Sequence, residues 1–276
     1  MPEHGIDEDI ARAAALIADA DALLICAGAG IGVDSGLPDF RGDAGFWKAY
    51  PALGTARMPF HEIASPASFR SDPALAWGFY GHRLDLYRHT TPHAGFRILL
   101  ELARARPQGA FVFTSNVDGQ FRRAGFASER IVEYHGTIHH LQCTRPCSDA
   151  IWPADTFLPH VDAPACRLLN DAPRCPHCGA LARPNILMFN DSGWIETRTE
   201  AQLARLQAWR AGVGKLVVIE LGAGVDIPSV RRMSERQRAP LVRINPRAPQ
   251  QDGCTGVALA LGARDALERI LHAMPA

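Results

Sequence analysis

Apolar residues gather along this chain in short runs of four to six residues, and each run stops at a small or polar residue. Ala22–Cys26 runs towards Gly28, Ala110–Thr114 into Ser115-Asn116-Val117-Asp118, and Ile131–Tyr134 into His135-Gly136. Ile186–Phe189 runs into Asn190-Asp191, Leu216–Leu221 into Gly222-Ala223-Gly224, and Leu241–Ile244 into Asn245. Runs this short and continuous predict strands buried on both faces, as in a parallel sheet covered by helices. Between them the helical period appears at Ile10, Ala13, Ala14 and Ile17, with Asp7 as the expected N-cap, and again over Leu203–Trp209 and Ala266–Leu271. In a parallel α/β sheet the carboxyl ends of the strands line the ligand crevice, so the polar residues that end each run are the expected site.

Two stretches break the rhythm. Residues 46–95 are rich in aromatic residues, His and Pro, and residues 140–183 hold five of the seven cysteines and several prolines. Both predict a smaller second module inserted into the sheet domain. The expected division is 1–45, 96–139 and 184–276 for the sheet domain and 46–95 with 140–183 for the module.

Charge narrows the partners. Lys plus Arg and Asp plus Glu number 29 each, so no basic arm for nucleic acid or membrane surface is expected. No apolar run approaches the ~20 residues that span a bilayer. The acidic start, MPEHGIDED, is unlike a secretory signal, and a cytoplasmic setting is expected. In such a reducing setting close cysteine pairs favour a metal over disulfides. Cys143 and Cys147 form CxxxC and Cys175 and Cys178 form CxxC, which suits a closed tetrahedral zinc site of structural type. Cys166 and His177 are competing ligands on spacing alone. Cys26 reads as a small buried hydrophobe.

The stretch CAGAGIGVDSGLPDFRG, Cys26 to Gly42, carries the first chemistry. A strand followed by Gly28, Gly30 and Gly32 lets backbone amides approach a phosphate, which predicts a dinucleotide. The spacing is not that of a dehydrogenase, and no ribose-binding acid follows at the expected distance. Asp39-Phe40-Arg41 stands there instead.

Taken in order, GAG at Gly28-Ala29-Gly30, SGLPDFRG at Ser35–Gly42, NVD at Asn116-Val117-Asp118, HG at His135-Gly136, the two cysteine pairs, ARPNILMF at Ala182–Phe189 and Asn245 resemble the sirtuins, the NAD-dependent protein deacylases. The resemblance spans roughly residues 20–265. It implies a Rossmann-like parallel-sheet domain with a small zinc-binding and helical module, and NAD in the cleft between them. It implies that Gly28, Ala29, Gly30, Asp39, Phe40, Arg41, Ser115, Asn116, Asp118, Gly222, Ala223, Gly224 and Asn245 bind the cofactor, with Phe40 on the nicotinamide side and Asp118 accepting from its carboxamide. His135 would be the general base, acting with Asn116 and Asp118. The substrate would be an acylated protein lysine, and the products free lysine, nicotinamide and O-acyl-ADP-ribose.

Tyr80-x-x-Arg83 adds a finer expectation. On a helix, residues three apart share a face, and a phenol with a guanidinium there suits a carboxylate. The motif resembles the class III sirtuins, which remove succinyl, malonyl or glutaryl groups. This chain also departs from the family. Gly32 and Gly222-Ala223-Gly224 lack family hydroxyls, Ser115 stands for Gln, Phe121 for His, and Asn190-Asp191 for Gly-Glu where a substrate peptide would dock. Each lost hydroxyl bond removes ~1 kcal/mol of grip on the cofactor, which Asp226 would partly restore. The Asn190-Asp191 change leaves an alternative open: ADP-ribosyl transfer to protein, or NAD hydrolysis, on the same fold. A non-catalytic NAD sensor is disfavoured by the His135 base. Neither the acyl group nor the oligomeric state follows from the motifs.

Overall fold

The computed structural model describes residues 3–38, 42–251, 253 and 255–275. In chain order the strands are β1 (Ala22–Ala27), β2 (Ala110–Thr114), β3 (Ile131–Glu133), β4 (Gly136–Cys143), β5 (Ile151–Pro153), β6 (Val161–Asp162), β7 (Arg167–Leu168), β8 (Ala182–Ile186), β9 (Leu216–Leu221), β10 (Leu241–Ile244) and β11 (Gly256–Leu259). The helices are α1 (Glu3–Ala18), α2 (Gly42–Ala49), α3 (Pro51–Thr55), α4 (Phe60–Ile63), α5 (Pro66–Ser71), α6 (Pro73–His89), α7 (Ala94–Arg104), α8 (Gln120–Arg123), α9 (Thr197–Ala211), α10 (Ser229–Arg236) and α11 (Ala263–His272).

Six strands form one parallel sheet in the order β11-β10-β9-β1-β2-β3. The period-two alternation of β1 explains its unbroken apolar run. Leu23, Ile25 and Ala27 face a core shared with α1, α7 and α11 through residues such as Ile17, Leu99 and Ile270. Ala22, Leu24 and Cys26 face the opposite core, with Leu206 of α9 and Val230 of α10. The chain leaves β1 for β2 on one side and returns as β9 on the other. That reversal opens a crevice at the carboxyl ends of the central strands.

The second sheet is antiparallel, in the order β5-β4-β8, with a register shift between Thr137 and Leu141. It packs with α2–α6 around a separate core that includes Phe46, Trp77, Phe79, Ile138 and Phe157. Trp77 Nε1 donates to the Ala182 carbonyl at 3.0 Å, and Arg88 donates to the carbonyls of Ala154 and Phe157 at 2.7 Å each. These bonds tie helix α6 to β8 and to the segment that follows β5. Only Tyr134 and His135 separate β3 of one sheet from β4 of the other.

Two expectations are corrected. Asp7 is not an N-cap, because α1 already begins at Glu3 and continues through Gly5 and Asp7. Ile186–Phe189 is not a parallel strand. The strand is Ala182–Ile186, paired antiparallel to β4, and Leu187 to Phe189 leave it along the cavity wall. Its polar residues Arg183 and Asn185 are buried and paired through their N–H groups, which hid it from an apolar pattern. Arg183 forms a buried two-point ion pair with Asp191 at 2.8 Å, and Asn185 Nδ2 donates to Gln142 Oε1 and the Ile195 carbonyl at 2.9 Å. No helix among the described residues is long and apolar enough to cross a membrane.

Candidate active site

The loops after β1 and β9 meet backbone to backbone. A Cβ on Gly28 would lie 2.8 Å from the Gly222 carbonyl oxygen, and one on Gly222, whose φ is +58°, would lie 2.4 Å from Gly30 C and Ile31 N. Gly28 N–H donates to the Leu221 carbonyl at 3.0 Å and Gly30 N–H to the Gly222 carbonyl at 3.1 Å. These two amides therefore hold the loops together and are not free for a phosphate, contrary to the simplest reading of the motif. The glycines at 28 and 222 are required by close approach. His93 braces the 3-10 helical turn Ala29–Ser35 from below. Its Nδ1 accepts from Gly95 N–H at 3.0 Å, so its Nε2 carries the proton donated to the Ile31 carbonyl at 3.0 Å.

Above this junction lies a cavity of about 680 Å³. Its size falls within the range of cofactor sites, roughly 300–1,000 Å³. The expected residues Gly28, Ala29, Gly30, Ser115, Asn116, Asp118, His135, Gly222, Gly224, Tyr80 and Arg83 all line it, as does Asp226. Ala223 and Asn245 lie buried behind the rim. Asn245 Nδ2 donates to the Ala223 carbonyl at 2.9 Å, while its Oδ1 accepts from the amides of Arg247 and Ala248 at 3.1 Å. Its side chain shapes the loop. Asp39, Phe40 and Arg41 lie outside the described residues.

Asn116 Nδ2 donates to the Gly28 carbonyl at 3.1 Å, which joins the β2 loop to the β1 loop. Asp118 is buried and accepts from Gln120 N–H at 2.9 Å. Burial raises its pKa to about 6, with Glu133 adding to the rise and the Gln120 bond opposing it. His135 stands at the β3 end. Burial holds its pKa below the ordinary histidine value, partly offset by the neighbouring Ser115 backbone. A neutral imidazole carries one N–H and one lone pair, so the ring is able to accept a proton.

The opposite wall comes from α6. Tyr80, Arg83 and Tyr87 share one helical face at i, i+3 and i+7 and all line the cavity. Sequence reading missed Tyr87, although the same spacing that found Arg83 reaches it. It also missed Leu37, His61, Met188 and Ile227 on the rim, whose types carry no distinctive signal. His139 is half-buried, and its ring bonds to the Asp118 carbonyl at 2.9 Å. Asp191 and Asn190 do not form a new docking feature by charge, since Asp191 is consumed by Arg183 and by the amides of Met188 and Gly193.

Away from the cavity, Cys143 Sγ lies 3.6 Å from Cys178 Sγ and Cys147 Sγ 3.7 Å from Cys175 Sγ, with all four sulfurs within 4.8 Å of one another. Four thiolates around a tetrahedral zinc would stand about 3.8 Å apart. The cluster fits that ion, and neither Cys166 nor His177 belongs to it.

The Sir2 family model matches residues 28–207. An NAD-dependent protein deacylase of Aeropyrum pernix is 30% identical over 97% of this chain and 98% of its own length. A solved structure described as a structural basis for the mechanism and regulation of Sir2 enzymes is similar at TM-score 0.70 and 23% identity, covering 97% of this chain and 98% of that one. A Sir2 homologue–NAD complex is similar at TM-score 0.68 and 21% identity, covering 99% and 94%.

Proposed function

The chain belongs to the Sir2 family, and from that premise we propose how its cavity works and on which substrates. The protein is an NAD-dependent protein deacylase. Bound NAD supplies a sugar carbon bearing a cationic leaving group. The backbone loops of Gly28–Gly30 and Gly222–Gly224, with Ser115 and Asn116, hold it, and Asp39, Phe40, Arg41, Ala223 and Asn245 belong to the same cradle directly or through the loops they shape. Asp118, mostly ionised at neutral pH, would accept from the nicotinamide carboxamide. His135 would act as the general base towards a ribose hydroxyl through the lone pair of its neutral ring. Cys143, Cys147, Cys175 and Cys178 hold zinc, which closes the small module and leaves no open position for substrate.

The acyl group enters against Tyr80 and Arg83. A guanidinium and phenol on that wall favour an acyl chain ending in a carboxylate: succinyl, malonyl or glutaryl. The protein partner is an acylated lysine in a protein, with no specific nucleic acid and no membrane. Cysteine pairs at zinc-ligand distances suit a cytoplasmic setting, where thiols stay reduced. The division at 1–45, 96–139 and 184–276 against 46–95 and 140–183 assigns the cofactor mainly to the first and the acyl wall to the second.

One observation carries the reading: His135, the glycine loops and Tyr80/Arg83 line a single cavity. Incubating the protein with NAD and matched acetyl, succinyl, malonyl and glutaryl peptides, with products weighed, tests it. Acyl-ADP-ribose formed fastest from the acidic acyl peptides is the expected result. Nicotinamide release that needs no peptide would instead mark an NAD hydrolase.

A further inference from the structure

Arg83 is only 8% exposed, yet it lines the cavity. A buried guanidinium must be hydrogen-bonded to persist. Its Nε and Nη2 donate at 2.9 and 2.8 Å to one atom, the phenolic oxygen of Tyr87, one helical turn on. Its carbon also lies 5.1 Å from the Phe79 ring centre, 5.9 Å from that of Tyr80 and 5.4 Å from that of Tyr87. At such distances aromatic faces attract a cation. A neutral phenol orients the guanidinium without cancelling its charge, as a carboxylate would.

Tyr87 is 4% exposed and lines the same cavity. A phenol offers two lone pairs and one O–H. Both acceptor positions are taken by Arg83 N–H groups, so what remains to offer is the proton. We propose that Tyr87 is a specificity-determining residue of the acyl pocket: it fixes the planar fork of Arg83 and donates its own O–H to the terminal carboxylate of an acidic acyl group. This rests on the acidic-acyl reading above. Tyr80, Arg83 and Tyr87 then form a wall that offers donors to an anion, whereas an acetyl methyl group has nothing to accept them.

The test uses the full-length protein at saturating NAD with succinyl- and acetyl-lysine peptides of one sequence. The quantity read is the ratio of kcat/KM for succinyl over acetyl. Arg83→Met should lower it by ~10–100-fold, the range of a charge-assisted hydrogen bond. Tyr87→Phe should lower it by about 10-fold, carried by KM for the succinyl peptide while kcat changes little. In the Arg83→Met background Tyr87→Phe should alter the ratio less than it does in the parent, because the part of its effect that runs through the Arg83 fork is already gone. That double variant also removes the buried cation together with its acceptor, so its fold is protected. Should Tyr87→Phe alone fail to fold, Arg83→Lys serves: it keeps the charge but loses the planar two-bond pairing, and the ratio should still fall.

A wild-type protein that prefers acetyl sinks both the acidic-acyl reading and this proposal. Preference for succinyl, lost in Arg83→Met but retained in Tyr87→Phe, leaves the reading standing and overturns the role of Tyr87. So would a ratio unchanged in Arg83→Lys, or an equal effect of Tyr87→Phe with and without Arg83.

Discussion

The two walls of the cavity are made by different physics. One is backbone: loops after β1, β2, β3 and β9, pressed so closely that side chains are excluded at Gly28 and Gly222. The other is side chain: one face of α6, with a guanidinium among aromatic rings. The backbone wall is set by sheet topology and suits a cofactor that every member of the family shares. The helical wall is set by single residues and can change its preference by substitution without disturbing the sheet. On the proposed reading, cofactor and acyl recognition are separable.

The sharpest way to break the contrast is at His135. His135→Tyr should lower kcat by ~10²–10⁴-fold, the range of a positioned general base, while NAD binding by calorimetry persists. Turnover within tenfold of the parent would remove the base from this residue. Next is the backbone wall itself. Gly222→Ala places a Cβ against Gly30 and Ile31 at 2.4 Å and forces φ +58° on a residue with a side chain. A loss of roughly 2–4 kcal/mol and a fall in melting temperature of about 5–15 °C is expected. A melting temperature unchanged would mean that the loop junction yields easily. Smallest is Asp118→Asn, which probes the ground between the walls. The folded-state pKa of Asp118, about 6, exceeds that of an unfolded Asp, so the unfolded chain gives up its proton first as pH rises. Stability therefore falls between about pH 4 and 6, by on the order of 3 kcal/mol, and stays lower above that. Asp118→Asn should be more stable than the parent in urea at pH 7.5, with the gap closing near pH 4.5, even as catalysis suffers. A gap independent of pH would assign the effect to packing.

Much of the backbone wall was legible because strands buried on both faces cannot alternate. The runs at β2, β9 and β10 appear in the sequence with the boundaries seen in the fold, and β1 and β3 to within a residue. The small sheet was not legible for the opposite reason. In β4 and β8, Gln142, Arg183 and Asn185 are buried yet paired, so polarity there does not mean exposure. The helices between 46 and 95 were obscured by their own prolines. Pro51, Pro66 and Pro73 read as breakers but each starts a helix, where a missing N–H costs nothing. On α6 the spacing from Tyr80 to Arg83 pointed into the cavity. Tyr87 escaped because the search stopped at the pair a carboxylate would need and did not ask what held the cation.

Only Tyr134 and His135 separate the last strand of the large sheet from the first strand of the small one, and the next residue, Gly136, sits at φ +77° against the Asn185 backbone. The imidazole is consequently mounted on the pivot of the molecule. Rocking of one sheet against the other would swing the base through only a short arc, while the acyl wall, carried farther out, would travel more. If His135 is the base, as proposed, its place at this joint would insulate proton transfer from such a motion.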